Sequence, residues 1–186
     1  LERGEHIASG SMGSIYAATW RGRRVALKSL HDPTSSALKE TEEELLVHAA
    51  LGHKHIVELL GANLAPRGCC IVLELCRESL FVRLYRRREE MERRTMVTIA
   101  LHVARAVEYM HARSPSVVHR DIKSHNVLLD FDGTAKLCDF GLVNTREVTA
   151  GTPNYMAPEQ VRGKARDRAR REIESRTPVR ARSLFR

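Results

Sequence analysis

No stretch of this chain is apolar over anything near the ~20 residues that cross a bilayer, so a membrane span is not expected. The opening run Leu1-Glu2-Arg3-Gly4-Glu5 has no apolar core of the kind a secretion signal needs, and no leader is expected either. Cysteine is scarce and poorly spaced for cross-linking. Cys69, Cys70, Cys76 and Cys138 form no CxxC pair, which argues against a disulfide framework or a zinc site. Reduced thiols in a cytoplasmic protein fit better, with the nucleus as the alternative. Aromatic residues are 5% of the chain and no internal repeat is present.

An excess of acid is also missing, and the net charge of +8 over 186 residues resembles a nucleic-acid signal until it is located. Between Gln160 and Arg186, ten Lys and Arg face three Asp and Glu, whereas the rest of the chain holds 21 basic against 20 acidic groups. The body is thus almost neutral and the basicity belongs to its tail. That tail could bind a polyanion in a salt-dependent way, but it lacks interleaved aromatics, so nucleic acid is disfavoured as a partner.

Residues 5–30 read as extended segments around turns. Ile7 leads into Gly10-Ser11-Met12-Gly13, Ile15 to Trp20 run to an Arg21-Gly22 turn, and Val25 to Leu30 follow, which predicts a β-hairpin array. Residues 37–51 are rich in Glu and Leu and predict a helix ending near Gly52. Ile56 to Leu60 and Cys69 to Leu75 read as two buried strands joined across Pro66-Arg67-Gly68. Met96, Ile99, Val103, Ala106, Val107 and Met110 recur at helical spacing and predict an amphipathic helix that buries them. Val127 to Leu129 and Ala135 to Leu137 flank the hairpin signal Asp132-Gly133. A β-rich half followed by a helical half implies two lobes with a cleft between them. After Glu159 the apolar residues are too sparse to define a buried face.

Five elements then occur in an order suited to phosphoryl transfer. Gly10 and Gly13 between strands let a backbone approach a triphosphate and offer it N–H groups, though a tight hairpin turn needs the same glycines. Lys28 ends a buried strand, where an ammonium wants a carboxylate or a phosphate; a surface Lys covering apolar area is the plainer reading. Glu44 could be the partner, with Glu40, Glu42 and Glu43 as competitors. His119-Arg120-Asp121-Ile122-Lys123-Ser124-His125-Asn126 gathers a carboxylate, an ammonium and an amide. The Asp can accept the proton of an attacking hydroxyl, the Lys can hold the moving phosphate, and the Asn can ligate Mg²⁺. Asp139-Phe140-Gly141 adds a second oxygen ligand for that hard cation, and Ala157-Pro158-Glu159 closes the segment.

On these motifs the chain resembles a eukaryotic-type protein kinase domain. Thr19-Trp20-Arg21-Gly22 and Leu59-Leu60-Gly61-Ala62 are most similar to the tyrosine-kinase-like group of Ser/Thr kinases. The resemblance covers about residues 5–160. It implies an α+β, two-lobed protein-kinase fold with a β-rich N-lobe at 1–76, a partial helical C-lobe at 77–159 that lacks the C-terminal helices, and a basic, disordered tail at 160–186. It implies transfer of the γ-phosphoryl of ATP, with Mg²⁺, to a Ser or Thr of a protein substrate. Asp121 would be the catalytic base and Lys123 would meet the γ-phosphate. Asn126 and Asp139 would hold the metal. Gly10, Ser11 and Gly13 would form the phosphate loop, and Lys28 would contact the α- and β-phosphates while pairing with Glu44. Ile7, Ile15, Ala26 and Leu128 would sandwich the adenine, the backbones of Glu74 and Cys76 would bond its edge, and Leu73 would stand behind it. Arg120 implies an activation segment that a phosphate can order, with Thr145 and Thr149 as acceptors; Thr152 would hydrogen-bond Asp121 and Lys123.

Three positions depart from the family's pattern. Ala8 stands where the loop's first glycine usually sits. His48 occupies a position usually apolar, where its ring could pack on Phe140 and Leu59 but a protonated imidazole would be out of place. Cys138 reads as a buried, inert thiol. The sequence after Glu159 supplies none of the further helices the fold uses. A catalytically impaired ATP-binding or scaffolding fragment is therefore the alternative function.

Overall fold

The computed structural model describes residues 1–10, 13–31, 34–65, 68–88, 90–143 and 151–161. Three antiparallel strands come first: β1 (Glu2–Gly10), β2 (Gly13–Trp20) and β3 (Arg23–Leu30). With β4 (Leu59–Asn63) and β5 (Cys70–Glu74) they form a five-stranded sheet in the order β1-β2-β3-β5-β4. One face of β3 is apolar, with Val25 and Leu27 buried beside Ala18 and Val72. The other face carries Ala26 and Lys28, both half-buried, because successive strand side chains point to opposite faces.

Helix α1 (Ser35–Ala49) follows. Thr34 caps it, its Oγ1 accepting a hydrogen bond from the Ala37 N–H at 3.2 Å, which satisfies one otherwise orphaned amide of the first turn. Thr41, Leu45 and His48 form its buried face. The expected strand at 56–60 begins three residues later. Ile56 is instead drawn into an isolated parallel bridge with Leu137, and the Val57 N–H donates to Leu137 O at 2.9 Å. Burial in the second core, not β pairing with β5, is what its apolar character serves.

That second core lies under β6 (Glu78–Ser79), β7 (Val127–Leu129) and β8 (Ala135–Leu137), a small antiparallel sheet. Helix α2 (Arg93–His111) packs on it. Ile99, Ala106 and Met110 of α2 are buried with Leu51, Ile56, Val127, Leu129, Leu137 and Phe140. Val103 and Val107 are partly buried against the same cluster. Met96 departs from the predicted face: it is 50% exposed, as are its neighbours Val97 and Leu101 to a similar degree. It lies one turn before the first residue that β7 and β8 cover. A short helix, α3 (Pro158–Val161), ends the described chain. Among the described residues no helix is long and apolar enough to cross a membrane. The architecture is α+β, with a β-sheet lobe and a second lobe built on α2 and the β6–β8 sheet.

Candidate active site

The loop between α2 and β7 brings most of the predicted polar residues together. Asp121 is 9% exposed, and Asn126 5%, so neither can remain unpaired at low cost. Asp121 Oδ1 accepts from the Thr152 N–H at 3.0 Å and from Thr152 Oγ1 at 2.8 Å. Its Oδ2 accepts from Lys123 Nζ at 2.6 Å and Asn126 Nδ2 at 3.2 Å. Lys123 Nζ also donates to Thr152 Oγ1 at 2.8 Å. Thr152 follows Gly151, whose φ of 136° lies in a region that glycine tolerates. A Cβ there would stand 3.2 Å from Arg120 O and 3.0 Å from Met156 Cε, so the approach of the two segments depends on the missing side chain. Burial raises the Asp121 pKa, but hydrogen bonds from Lys123 and Thr152 and the Lys123 charge outweigh it, and the carboxyl ends below its ordinary value.

Behind this knot lies an imidazole fixed in one neutral form. His119 Nε2 donates to Cys138 O at 3.1 Å, and its Nδ1 accepts from the Asp121 N–H at 3.3 Å. Its pKa is lowered, chiefly by burial. Phe140, 1% exposed, bridges this loop to α1: its ring centroid lies 5.2 Å from His119 and 4.6 Å from His48. His48 Nε2 donates to Val57 O at 2.6 Å, and burial lowers its pKa too. The polar residue in this stack is thus accommodated as a neutral ring.

On α1 the structure separates four candidate carboxylates that sequence could not. Glu40, Glu42 and Glu43 are exposed, whereas Glu44 is half-buried. Its Oε2 lies 3.4 Å from where a Cβ on Gly141 would sit, with Asp139 Oδ1 equally close to that point. Burial raises the Glu44 pKa and the Asp139 charge adds to it, while Lys28 and the Phe140 N–H pull the other way. Lys28 lies opposite Ile15 and Ile71 in the sheet. It acts on Glu44 and Cys138 through its charge, yet among the described residues no ion pair joins Lys28 to Glu44. The expected ion pair is therefore not formed: Glu44 is turned toward the Asp139–Gly141 segment, where the Phe140 N–H holds back the rise of its pKa.

The remaining predicted positions divide into placed and undescribed. Gly10 and Gly13 are paired at the adjoining ends of β1 and β2. A Cβ on Gly13 would come 2.2 Å from Ser29 O, so this glycine is required by β3 alone, whatever binds above it. Ala8 pairs with Ile15 inside β1. Ile15, Ala26, Leu73 and Leu128 are half-buried and Ile7 is 51% exposed. Leu73 pairs with Ala26, and Glu74 ends β5. Cys76 and Cys138 both have their thiol pKa pushed up, Cys76 to about 12, mainly by burial, which leaves them poor nucleophiles. Arg120 has a φ of 68° and stands beside Asp121. Ser11, Thr145, Thr149 and nearly all of the 160–186 tail lie outside the described residues.

One tie beside the predicted residues was missed by sequence reading. Lys136 on β8 bonds the Glu74 carboxylate and approaches Asp130 Oδ2 at 3.4 Å, and the other Glu74 oxygen accepts from the Glu58 N–H at 3.1 Å. This ties the end of β5 to the second lobe. A Lys between two buried strand neighbours, Ala135 and Leu137, was the available signal.

The donors present suit a hard cation. Asn126 spends its amide nitrogen on Asp121, at both the main-chain O and Oδ2, so its Oδ1 is left to face a ligand. Asp139 is exposed, with its φ of 69° turning it out of the strand direction. No group of three or more His, Cys, Asp or Glu among the described residues could hold a metal by itself. A Mg²⁺ at Asn126 and Asp139 would take its other ligands from phosphate and water.

Comparison with known proteins gives a consistent result. A protein kinase domain model matches residues 1–171. The chain is 38% identical over 174 residues to a probable serine/threonine-protein kinase SIS8 from Arabidopsis thaliana, covering 88% of this chain and 17% of that protein. It is 39% identical over 170 residues to the serine/threonine-protein kinase CTR1 of the same plant, covering 85% and 21%. Against mitogen-activated protein kinase kinase kinase 10 from Mus musculus the identity is 34% over 181 residues, covering 87% and 19%. The chain therefore spans about a fifth of the length of these relatives.

Proposed function

The chain belongs to the protein kinase family, and on that premise we propose that it is an ATP-dependent serine/threonine kinase of the tyrosine-kinase-like group, with Asp121 as its catalytic base. The observation that carries the reading is the closure of Asp121, Lys123, Asn126 and Thr152 into one bonded unit. A carboxylate has about four acceptor positions, and here Thr152, Lys123 and Asn126 occupy all of them. An incoming hydroxyl needs one of these to be vacated. Lys123 is the group with somewhere else to go, since its ammonium can swing from Oδ2 to the γ-phosphate while Thr152 holds Oδ1 in place.

The substrate oxygen then forms its bond to the γ-phosphorus as the bond from that phosphorus to the β–γ bridging oxygen breaks. ADP leaves, and the hydroxyl proton passes to Asp121. Its low pKa makes Asp121 a weak base, which suits a reaction whose main needs are position and charge rather than early proton removal. Lys28 would hold the α- and β-phosphates, and Asn126 and Asp139 would hold Mg²⁺, which neutralises phosphate charge when bound. Ile15, Ala26, Leu73 and Leu128 offer half-buried apolar surface for the base, beside the ends of Glu74 and Cys76.

Two measurements test this. Mg-ATP at a hundred times its Kd should stabilise the folded chain by ~2.7 kcal/mol, and Lys28→Met should abolish that gain while changing the unliganded stability by less than about 0.5 kcal/mol. In full-length protein, Asp121→Asn should lower turnover on a Ser/Thr substrate by about 10²–10⁴ and leave nucleotide binding in place. Unchanged turnover would remove Asp121 from the mechanism, and an unchanged ATP shift in Lys28→Met would remove Lys28 from the nucleotide site.

A further inference from the structure

Away from the catalytic loop, three histidines stack where the α1–β4 loop meets α2 and β8. The rings of His55 and His102 lie 4.1 Å apart, centroid to centroid, and are nearly parallel. His53 stands edge-on to His55 at 5.4 Å and stacks on Tyr109 of α2 at 4.9 Å. The Tyr109 hydroxyl accepts from the Gly52 N–H at 3.2 Å. None of these groups belongs to the site described above.

The hydrogen bonds fix where each proton sits. A carbonyl oxygen can only accept, so His55 carries its proton on Nδ1 and donates to Ala135 O at 3.1 Å. A backbone N–H can only donate, so His102 Nδ1 is the bare nitrogen that accepts from the Ala135 N–H at 3.2 Å. By the same rule His53 Nδ1 is bare, taking the His55 N–H at 3.2 Å. Ala135 of β8 is thus gripped on both its N–H and its C=O by two neutral rings, one from the loop and one from α2. Each ring has nowhere acceptable for a second proton. On His53 and His102 it would land on the nitrogen that receives an amide N–H. On His55, 2% exposed, it would land on Nε2, which is buried without a hydrogen-bond partner.

We propose that the His53–His55–His102 stack is a proton-sensitive latch that holds the α1–β4 loop on α2 and β8 when neutral and releases it when protonated. The charged surroundings favour release in acid. Lys54 and His53 face His55 from its own loop, and His102 faces it from α2. His102 also meets Arg105 and Lys54, and Asp132 of the β7–β8 turn is the acidic group acting on it. All three imidazoles titrate below the ordinary value, mainly through burial, His55 falling to about 4. The loop is the C-terminal anchor of α1, so release frees the helix that carries Glu44 and His48. The proposal does not depend on the kinase reading.

Hydrogen exchange of the 186-residue chain tests it, read as protection factors so that intrinsic exchange chemistry is removed. With His55 alone moving from 6.5 in the open state to about 4 in the closed one, the opening constant for the amides of Leu51 to Val57 should rise at least about 30-fold between pH 7.5 and pH 5, His53 and His102 adding to it. The amides of β2 and β3 should change less. His55→Asn, which can still donate to Ala135 O but has no proton to gain, should make the response clearly smaller than in the wild type. Should that variant not fold, His102→Gln gives a second reading: its amide oxygen still accepts from Ala135, and the response should shrink. A pH-independent loop, a loop and sheet that change in parallel, or a response of wild-type size in His102→Gln would each overturn the latch.

Discussion

The carboxylates of Asp121 and Glu44 lie in the two lobes, and their environments push them in opposite directions. Both lose water on folding. Asp121 recovers more than it loses, because Lys123 and Thr152 bond its oxygens directly, and its pKa ends low. Glu44 is not compensated in this way: its cation, Lys28, acts from a distance, Asp139 repels it, and its pKa ends high. The 119–126 loop is therefore assembled by its own residues, while the α1 side is left with a cation and a carboxylate that are near each other but not joined.

The two sides are mechanically joined through Phe140, and cutting that joint is the largest expected effect. The ring is 1% exposed, with His48 on one side and His119 on the other. Phe140→Ala should cost about 3–5 kcal/mol, a large share of a typical domain's ~5–15 kcal/mol. Denaturant titration checks the size, and hydrogen exchange checks its distribution, with α1 expected to loosen more than the Asp121 loop. A cost below about 1 kcal/mol would mean that the lobes are coupled elsewhere, with Lys136 and Glu74 as the next joint to cut.

The clustering of polar residues in the 119–126 loop was legible from sequence because it is local. Asp121, Lys123 and Asn126 lie within six residues, and their spacing alone brings a carboxylate, an ammonium and an amide together. Hairpins were legible for the same reason, since the Arg21-Gly22 and Asp132-Gly133 turns sit between their own strands. What escaped reading depends on distant partners. Nothing near Glu44 distinguishes it from Glu43; burial against Phe140 and Gly141 does. Ile56 looks like the start of a strand until Leu137 claims it. Met96 continues the helical pattern but runs past the sheet that would cover it. The histidine stack joins residues far apart in sequence, and no local motif announces it.

An intermediate effect separates the two carboxylates by substitution. Asp121→Asn keeps the shape but removes the charge that Lys123 and Thr152 bond, and should destabilise the fold by about 1–3 kcal/mol. The sign follows from linkage: a carboxyl whose folded pKa is depressed contributes stability above its unfolded value of 3.8, and loses it as pH falls through the folded pKa. The gap between wild type and variant should therefore be flat from pH 5 to pH 8 and close below pH 3.8. A gap that widens in acid would contradict the bonding seen here.

The smallest effect is expected at Glu44, and its sign is the sharper test. A carboxyl whose folded pKa is raised opposes folding once it is ionised, so stability falls as pH rises through 4.5 toward the folded pKa, and the penalty persists at neutral pH. Glu44→Gln removes that penalty, so the unliganded variant should be as stable as the wild type or slightly more so at pH 7. Its pH profile between 4 and 7 should be flatter. With Mg-ATP present the order should reverse, because an ionised Glu44 can help hold the Lys28 ammonium against the phosphates, and the variant should gain less from nucleotide than the wild type does. Paired urea titrations with and without Mg-ATP measure both quantities. A loss of more than about 1 kcal/mol in the unliganded Gln variant would show that Glu44 is already paired, and the contrast between the two carboxylates would fail.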